Sequence, residues 1–409
     1  MAKVNTDQSL IAEILERGVE KVYPNRSELE KKLISGQVLR LYCGFDPSAS
    51  SLHIGNAIAL NKLSQFQRLG HKVIFLIGGF TGMIGDPTDK TATRKQLTRE
   101  QVMANATNFQ KQASAYLDFG GENPAEVKYN NEWLDELTFK DIISLSANFT
   151  VQQMIQRDMF QKRMSEEKPI FLHEFMYPLA QAYDSVYLDV DVEVGGNDQM
   201  FNMMCGRDLL KALKNKDKSV LTMKLLTDSE GKKMGKSEGN IVMLDENAID
   251  MYGKVMSWPD GVLASAFELC TVLPWVESKA IGAEIVKGAV NPRDLKMKLA
   301  FEITKINYGA EEAEKAQTHF VKTVQNKEVP EDIEIKKVAA GKHNVIDLVS
   351  SLGICGSRSE AKRLIEQGGL KLGFGDNLEV LNDVKAEVEV KTDMIISRGK
   401  RQFIKIKTE

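Results

Sequence analysis

Two short segments of the sequence carry side chains suited to binding phosphate, and the first surrounds His53. Asp46-Pro47-Ser48 is followed by Leu52-His53-Ile54-Gly55-Asn56, where an apolar run gives way to a helical pattern. Amides at a helix N-terminus attract phosphate, Gly55 lets a nucleotide base approach the backbone, and His53 can donate a hydrogen bond to a phosphate oxygen. The segment predicts a nucleotide site. A helix-capping or surface histidine is the alternative interpretation of His53.

The second segment is a polar loop at residues 227–246, which contains the lysine-rich run KKMGKS at 232–237. A mobile loop that presents lysines can clamp phosphate groups, whereas a solvated basic loop would have no such role. The run is not a P-loop, because Glu230 stands where G-x-x-x-x-G-K-[ST] requires glycine and a β-like run follows. The glycines at 79, 82 and 85 also miss the G-x-G-x-x-G spacing of a dinucleotide site.

Two further polar groups have the spacing of pocket residues. Tyr177, Gln181 and Asp184 lie at i, i+4 and i+7 of a helical pattern and so share one face. Their neighbours are apolar, which favours a lined pocket over plain solvent exposure. In VGGNDQ (194–199) a strand end passes into a helix, where glycines permit backbone contact and Asp198 could bind ribose hydroxyls. A bare turn with a helix N-cap is the alternative there.

The elements that must position these residues follow an α/β pattern. Apolar runs at 38–45 and 72–78 flank a helical pattern at about 54–68, which predicts a βαβ unit within a parallel sheet. A glycine-dense loop then leads to a long helix from near Thr98. The run at 219–226 returns the chain to a strand.

Helical patterns broken by prolines, and then a polar charged stretch, divide the rest of the chain. The predicted order is an α/β domain at 1–226, the lysine loop at 227–246, an α-helical domain at 247–325, a linker at 326–342 and a third module at 343–409.

Composition limits the class of protein. The 409 residues have a formal net charge of −3 and are 43% hydrophobic, which is typical of a globular chain and leaves room only for a local RNA-binding surface. The four cysteines lie far apart without C-x-x-C spacing, so we expect no zinc site, no disulfides and no dedicated protein metal site. Without an apolar run of signal or membrane-spanning length, we expect a cytoplasmic protein with no membrane partner.

Together these segments resemble the class I aminoacyl-tRNA synthetases, with their HIGH-like and KMSKS-like signatures, and among them the bacterial-type tyrosyl-tRNA synthetases. LYCGFDPSASSLHIG, TGMIGDP, FMYPLAQAYD, VGGNDQ and KMGKS follow in that family's order and spacing, so the resemblance covers nearly the whole chain. It implies a Rossmann-like parallel-sheet catalytic domain, an α-helical anticodon-side domain and a C-terminal S4-like α+β domain, assembled as a homodimer.

The resemblance also implies the reaction. L-tyrosine and ATP, the latter with Mg²⁺, would form tyrosyl-adenylate and pyrophosphate, and the tyrosyl group would then pass to the 3'-terminal adenosine of tRNA(Tyr). Two rival interpretations stay open. A tryptophanyl enzyme is favoured by His53-Ile54-Gly55-Asn56 but disfavoured by Tyr42 with Asp184. A non-catalytic RNA-binding protein derived from a synthetase would have no need to keep His53 or the loop lysines.

Residue by residue, the resemblance assigns roles at the matching positions. Tyr42 and Asp184 would hydrogen-bond the phenolic hydroxyl of tyrosine, Asp86, Tyr177 and Gln181 would hold its α-ammonium group, and Gln199 would lie near its carboxylate. The positions implied to contact ATP are Asp46, His53, Gly55, Asn56, Gly196, Asp198 and Lys236. The implied catalytic residues are His53, Lys233 and Lys236, with the lysines stabilising the α-phosphate and the departing pyrophosphate.

The sequence departs from the family's commonest pattern at Asn56, Gly235 and Glu193. Asn56 replaces a second histidine and Gly235 replaces a serine, and neither change removes the chemistry. Glu193 stands where many members carry glutamine, and we expect it to put another carboxylate near the ammonium site.

The C-terminal module carries a basic helix and a basic strip. Ser357 and Glu360 predict a capping box for a helix that places Arg358 and Lys362 on one face. The strip at 398–407 adds five basic residues, among them Arg398, Lys400 and Arg401. These residues resemble an S4-type RNA-binding surface, and a merely basic surface is the alternative.

Overall fold

The computed structural model of the chain describes residues 4–88, 96–227, 234, 241–288, 290–325, 333–375, 377–399 and 402–409. The chain divides into two units, Met1–Ala313 and Glu314–Glu409. Each unit has a hydrophobic core of its own.

The first unit is built on one sheet. Its strands are β1 (Val19–Tyr23), β2 (Arg40–Phe45), β3 (Lys72–Ile77), β4 (Glu126–Tyr129), β5 (Val192–Gly196) and β6 (Ser219–Met223). They form a six-stranded sheet in the order β1-β6-β5-β2-β3-β4. Strands β2 to β6 pair in parallel and β1 pairs antiparallel with β6, which confirms the predicted α/β class.

Burial explains why two strands could be recognised from their composition. In β3 every residue from Val73 to Ile77 is buried, and β6 is buried throughout. Parallel strands covered on both faces carry continuous apolar runs instead of alternating ones. The strands predicted at 38–45 and 72–78 are confirmed, whereas the strand predicted at 219–226 ends at Met223.

Helices cover both faces of this sheet or extend from its edge. They are α1 (Gln8–Glu16), α2 (Arg26–Ile34), α3 (Ile54–Arg68), α4 (Thr81–Ile84), α5 (Arg99–Ala106), α6 (Phe109–Ala113), α7 (Asn131–Leu134), α8 (Phe139–Ser146), α9 (Val151–Ile155), α10 (Asp158–Ser165), α11 (Leu172–Leu188) and α12 (Met200–Lys214). The βαβ unit predicted around α3 is confirmed. The long helix predicted from Thr98 is wrong in length, because Thr98 caps α5 and that helix ends at Ala106.

A helical part completes the first unit, with α13 (Ala248–Met256), α14 (Leu263–Cys270), α15 (Trp275–Lys287) and α16 (Pro292–Tyr308). Prolines separate these helices as predicted. Pro259 and Pro274 precede helical turns as N-caps, and Pro292 occupies the first turn of α16, where its missing N–H costs nothing.

The second unit is mixed α and β. After α17 (Ala310–Phe320), its elements are β7 (Glu334–Val338), β8 (Gly341–Asn344), α18 (Val345–Ser351), α19 (Arg358–Glu366), β9 (Leu370–Phe374), β10 (Asn377–Val380), β11 (Glu387–Val390), β12 (Met394–Arg398) and β13 (Gln402–Thr408). One sheet has the order β10-β9-β12-β13-β7, and β11 pairs with β8.

The predicted linker at 326–342 differs from the structure in its second half. Residues 334–338 form β7, which pairs in parallel with β13, and β8 begins at Gly341. Polar and charged composition led to the linker prediction, since β7 (EIKKV) lies at the edge of its sheet and has no buried residue.

Candidate active site

The segment around His53 forms the N-terminus of α3. The Nδ1 atom of His53 accepts a hydrogen bond from the Gly55 N–H at 3.1 Å, and the Asn56 Oδ1 accepts from the His53 N–H at 3.0 Å. With Nδ1 used as an acceptor, the neutral imidazole carries its proton on Nε2. A Cβ at position 55 would stand 2.9 Å from the His53 ring, so glycine is needed there. His53 is therefore the cap of α3 through its Nδ1 atom.

The same segment is hydrogen-bonded to residues 242–244, which follow the lysine-rich run. The Ile54 N–H donates to the Val242 carbonyl and the Leu244 N–H donates to the Leu52 carbonyl, both at 2.9 Å. On the entry side of the loop, the Met234 N–H donates to the Leu226 carbonyl at 2.8 Å. The predicted catalytic Lys233 and Lys236, with Gly235, lie outside the described residues.

Asp46, a predicted ATP contact, directly follows β2 and hydrogen-bonds Tyr177, a predicted contact of the substrate ammonium group. Its Oδ2 accepts from the Tyr177 hydroxyl at 2.8 Å, and its Oδ1 accepts from the Thr81 hydroxyl at 2.7 Å. A Cβ at Gly78 would stand 1.9 Å from Asp46 Oδ1, so the turn after β3 must carry glycine for the carboxylate to fit. The structure thus brings together a predicted ATP contact and a predicted ammonium contact.

A second contact links the loop after α4 to the start of α12. The Gln199 Nε2 donates to Asp86 Oδ2 at 2.7 Å, and the Gln199 Oε1 accepts from Asn202 at 3.0 Å. Gly196 ends β5 and passes into a 3-10 turn at Asn197–Gln199, where a Cβ on Gly196 would stand 2.4 Å from Asp198 Oδ1. Asp86, Gln199, Gly196 and Asp198 therefore cluster at the carboxyl ends of the strands, where open α/β sheets bind ligands.

Asp184 lies in α11 and is 2% exposed. Its Oδ1 accepts from the Trp133 indole N–H at 2.9 Å and its Oδ2 accepts from Asn130 Nδ2 at 3.2 Å. Burial raises the pKa of Asp184 well above its ordinary value, and the two hydrogen bonds oppose that shift. A carboxylate oxygen has two lone pairs, so each oxygen retains capacity for a ligand hydroxyl.

Tyr42 in β2 lies beside the same helix. Its hydroxyl is 2.9 Å from the Ser185 Oγ, one residue after Asp184, and burial raises the pKa of the Tyr42 phenol well above its ordinary value. Tyr42 thus contacts the residue that follows Asp184, and both side chains are buried. This arrangement is compatible with the prediction that the two side chains bind the same phenol.

Glu193 places its carboxylate beside Gln181, a predicted contact of the ammonium group, as expected, but the charge is paired with a lysine. Lys218, which is fully buried, donates to Glu193 Oε2 and forms an ion pair with it. The Gln181 Nε2 donates to Glu193 Oε1 at 3.0 Å. A lysine directly before β6 neutralises the extra charge.

Sequence reasoning missed the residues that support the pocket. Thr81, Asn130, Trp133, Ser185 and Lys218 each contact a predicted site residue. Ser185 follows Asp184 directly and could have been suspected from that position. The others come from distant segments, and their types and spacing give no local signal.

The predicted RNA-binding residues of the second unit have different environments. Arg358 and Lys362 on α19 are exposed, and they pair with Asp347 and Glu366 respectively. Arg398 instead donates to the Ile354 carbonyl at 2.7 Å and to Glu360 at 2.8 Å. Lys400 and Arg401 lie outside the described residues.

The capping box predicted for α19 is only half formed. The Ser357 Oγ accepts from the Glu360 N–H, but the Glu360 side chain accepts from the Gly356 N–H instead of from Ser357. Glu360 also accepts from Arg398, which ties the start of α19 to β12.

In the described part of the chain, no group of three or more His, Cys, Asp and Glu side chains could hold a metal ion. No described helix is both long and apolar enough to cross a membrane.

Residues 35–325 match the model of the tRNA synthetases class I (W and Y) family. The chain is 42% identical over 394 residues to a tyrosine–tRNA ligase of Thermotoga maritima, covering 96% of each chain. It is 43% identical over 402 residues to a tyrosine–tRNA ligase 2 of Vibrio vulnificus, covering 98% of each. In structure it is similar to a C-terminally truncated mitochondrial tyrosyl-tRNA synthetase of Coccidioides posadasii, with a TM-score of 0.62 at 27% identity over 76% of this chain and 92% of that one.

Proposed function

The chain belongs to the class I tRNA synthetases, within the bacterial-type tyrosine–tRNA ligases, and from this we propose that its first unit activates L-tyrosine with ATP and charges tRNA(Tyr). The observation that supports the choice of tyrosine is that two polar groups are buried at α11: Tyr42, whose hydroxyl lies 2.9 Å from the Ser185 Oγ, and Asp184, which accepts from the Trp133 indole. A phenol hydroxyl both donates and accepts, and this pair offers an acceptor together with a second hydroxyl. An indole has no hydroxyl to satisfy them.

In the first step the tyrosine carboxylate attacks the α-phosphate of ATP and pyrophosphate leaves. The α-ammonium group is held by Gln181, Tyr177 and Asp86, and Gln199 lies near the carboxylate. The groups that contact ATP are Asp46, Gly55, Asn56, Gly196 and Asp198, together with the Nε2–H of His53. Because the carboxylate is already a nucleophile, the rate comes from positioning and from charge stabilisation on the phosphates.

Lys233 and Lys236 supply the positive charge for the departing pyrophosphate. Support for this role comes from the ends of their loop, since the chain at Val242–Leu244 pairs with the segment that contains His53. The loop is therefore tethered beside the histidine at its exit. Mg²⁺ enters with the nucleotide as MgATP and neutralises phosphate charge, without a protein site of its own.

In the second step a ribose hydroxyl of the terminal adenosine of tRNA(Tyr) takes the tyrosyl group and AMP leaves. We assign initial capture of the RNA to the second unit. Arg358 and Lys362 are exposed at successive turns of α19 and suit phosphate contacts. Arg398, held by a carbonyl and by Glu360, positions the start of that helix.

The active assembly is a homodimer formed through helices α8 to α11. Among the described residues, exposed large apolar side chains concentrate in this part of the chain. Phe139 is 80% exposed, Val151 70% and Leu172 76%. Exposed large apolar side chains that concentrate in one part of a chain favour a protein interface there. The four cysteines are free and buried, which fits a protein that works in the reducing cytoplasm.

Amino-acid-dependent exchange of pyrophosphate into ATP tests the proposal. We expect exchange with tyrosine and little with phenylalanine or tryptophan, followed by tyrosylation of a tRNA(Tyr) transcript. Exchange that depends on tryptophan would overturn the choice of amino acid. A folded protein that binds tRNA without any exchange would overturn the proposed reaction.

A further inference from the structure

A polar slot, made of Ser185, Glu193, Gly206 and Lys218, is buried next to the tyrosine pocket. The Lys218 Nζ donates to Glu193 Oε2 and, at 2.6 Å, to the Ser185 Oγ. Lys218 and Ser185 are fully buried and Glu193 is 2% exposed. An ion pair taken this far from water is retained only where its geometry satisfies both partners.

Gly206 on α12 makes room for the lysine. A Cβ at this position would stand 2.6 Å from Lys218 Nζ and 2.8 Å from the Ser185 Oγ. Its helical environment does not otherwise call for glycine, since the φ angle of Gly206 is not positive. The slot is thus shaped around the ammonium group.

The slot determines which way the Gln181 amide faces. A carboxylate can only accept hydrogen bonds, so the Gln181 group that faces Glu193 Oε1 must be the NH₂. The amide oxygen then lies on the other side of the group. An α-ammonium can only donate, so it needs that oxygen. A glutamine at position 193 could donate or accept, and would allow both orientations of the Gln181 amide.

The slot also reaches the phenol end of the pocket. Ser185 accepts from Lys218 and lies 2.9 Å from the Tyr42 hydroxyl. The Lys218 ammonium is therefore connected in two directions. Through Glu193 it reaches Gln181, the proposed contact of the tyrosine α-ammonium group. Through Ser185 it reaches Tyr42, the proposed contact of the tyrosine phenol.

We propose that Lys218 is a positioning residue for tyrosine: its ion pair with Glu193 fixes the Gln181 amide, and its hydrogen bond to Ser185 positions the Tyr42 hydroxyl for the substrate. This inference rests on the proposed function. It makes the Glu193–Lys218 pair a single unit in which removal of the charge of one partner alone harms tyrosine binding.

Pyrophosphate exchange with the full-length protein, varied separately in tyrosine and in ATP, tests the inference. We expect Lys218→Met to raise the KM for tyrosine about tenfold or more, because it leaves a buried carboxylate without its counter-ion, with the KM for ATP changed by less than about twofold. The double variant Glu193→Gln with Lys218→Met removes both charges. We expect its KM for tyrosine to lie between those of the wild type and of Lys218→Met, because no buried charge is left unpaired but the amide at 193 no longer imposes one orientation on Gln181.

Lys62→Met is the matched control. Lys62 is also a buried lysine of the first unit, but its Nζ donates to the carbonyls of Ile14 and Arg17. This variant should lose stability without changing the KM for tyrosine relative to that for ATP. If Lys218→Met does not fold, Gly206→Ala decides, because it keeps both charges and displaces the ammonium.

Three results would overturn the inference: an unchanged KM for tyrosine in Lys218→Met or Gly206→Ala, parallel changes in both KM values, or a double variant as impaired as the single one. Wild-type protein without tyrosine-dependent exchange would instead overturn the proposed function. The two failures are therefore distinguishable.

Discussion

At the scale of single residues, we expect the pocket to select tyrosine over phenylalanine because bound phenylalanine would leave buried polar groups of the pocket without hydrogen bonds. Phenylalanine offers no hydroxyl to Tyr42 or to the buried Asp184, and an unpaired buried polar group costs about 1–3 kcal/mol. Tyr42→Phe removes one of these groups. We expect the ratio of kcat/KM for tyrosine to that for phenylalanine to fall about tenfold.

Exchange kinetics with both amino acids measure this ratio. Tyr116→Phe is the matched control, since the Tyr116 hydroxyl is also largely buried but bonds to Asn307 at 3.2 Å, outside the candidate site. A Tyr42→Phe variant that keeps the wild-type ratio would show that Tyr42 does not contact the phenol.

We expect the loop lysine, Lys236, to act on charge that develops only in the transition state. We expect Lys236→Ala to lower the rate of adenylate formation about a hundredfold or more, with tyrosine affinity nearly unchanged. Pre-steady-state activation and equilibrium tyrosine binding are the two measurements. Lys214→Ala, at the end of α12 where the lysine side chain is 40% exposed, should change neither. An unaltered activation rate in Lys236→Ala would remove the lysine from the mechanism.

At the scale of elements, His71 joins the end of α3 to the strands on either side of it. It is fully buried, its Nδ1 accepts from the Leu39 N–H at 3.2 Å, and burial lowers the pKa of His71 from 6.5 to about 4. Between about pH 6.5 and pH 4, His71 is protonated in the unfolded chain but stays neutral in the folded chain. The folded state therefore loses stability as the pH falls from about 6.5 to 4.

We expect this loss to reach about 3 kcal/mol, since each unit of pKa shift corresponds to roughly 1.4 kcal/mol. His71→Gln keeps an acceptor for the Leu39 N–H but does not titrate. Urea unfolding at several pH values between 4 and 7 should give a shallower pH dependence for the variant. Identical slopes for both proteins would mean that His71 is not the group responsible.

The sequence predicted the features that depend on neighbouring residues in the chain. It did not predict the features that depend on contacts between distant segments. The runs that became β2 and β3 are apolar because helices cover both faces, and the His53 cap follows from residues within one turn. By contrast, β1 (VEKVY) is only half buried and gave no strand signal. Nothing near Glu193 in sequence indicates Lys218, which lies 25 residues later, so only the fold could identify the lysine partner of this carboxylate.

At the scale of the whole molecule, the proposed function assigns the chemistry to the first unit and RNA capture to the second. A chain that ends within residues 326–332 keeps every described site residue of the first unit and removes the sheet formed by β7, β9, β10, β12 and β13. A cut near Gly341 would instead leave β7 without its partner β13.

We expect the shortened protein to retain tyrosine-dependent exchange and to charge tRNA poorly. Its remaining tRNA affinity should depend less steeply on salt, because phosphate contacts from Arg358 and Lys362 are gone. Filter binding at several salt concentrations, alongside charging assays, measures both effects. Charging by the shortened protein at the full-length rate would refute the assignment of RNA capture to the second unit.

The proposed homodimer gives a further test on this scale. Phe139→Glu combined with Leu172→Lys alters two side chains that are exposed in the single chain, so the fold should survive while association weakens. Sedimentation should show a dimer for the wild type and a monomer for this variant. Val286→Glu is the control, because Val286 is 86% exposed on α15, away from these helices. A variant that remains dimeric would place the interface elsewhere.

The fit of Gly206 around Lys218 restricts the routes by which this lineage can change its sequence. A side chain gained at 206 collides with the ammonium, loss of Lys218 strands Glu193, and loss of the carboxylate strands Lys218. We expect each first step to weaken tyrosine binding or stability, so positions 193 and 218 should change only as a pair. Glu193, Gly206 and Lys218 should therefore be inherited together. Their joint presence should distinguish the descendants of this chain from relatives that carry glutamine at position 193.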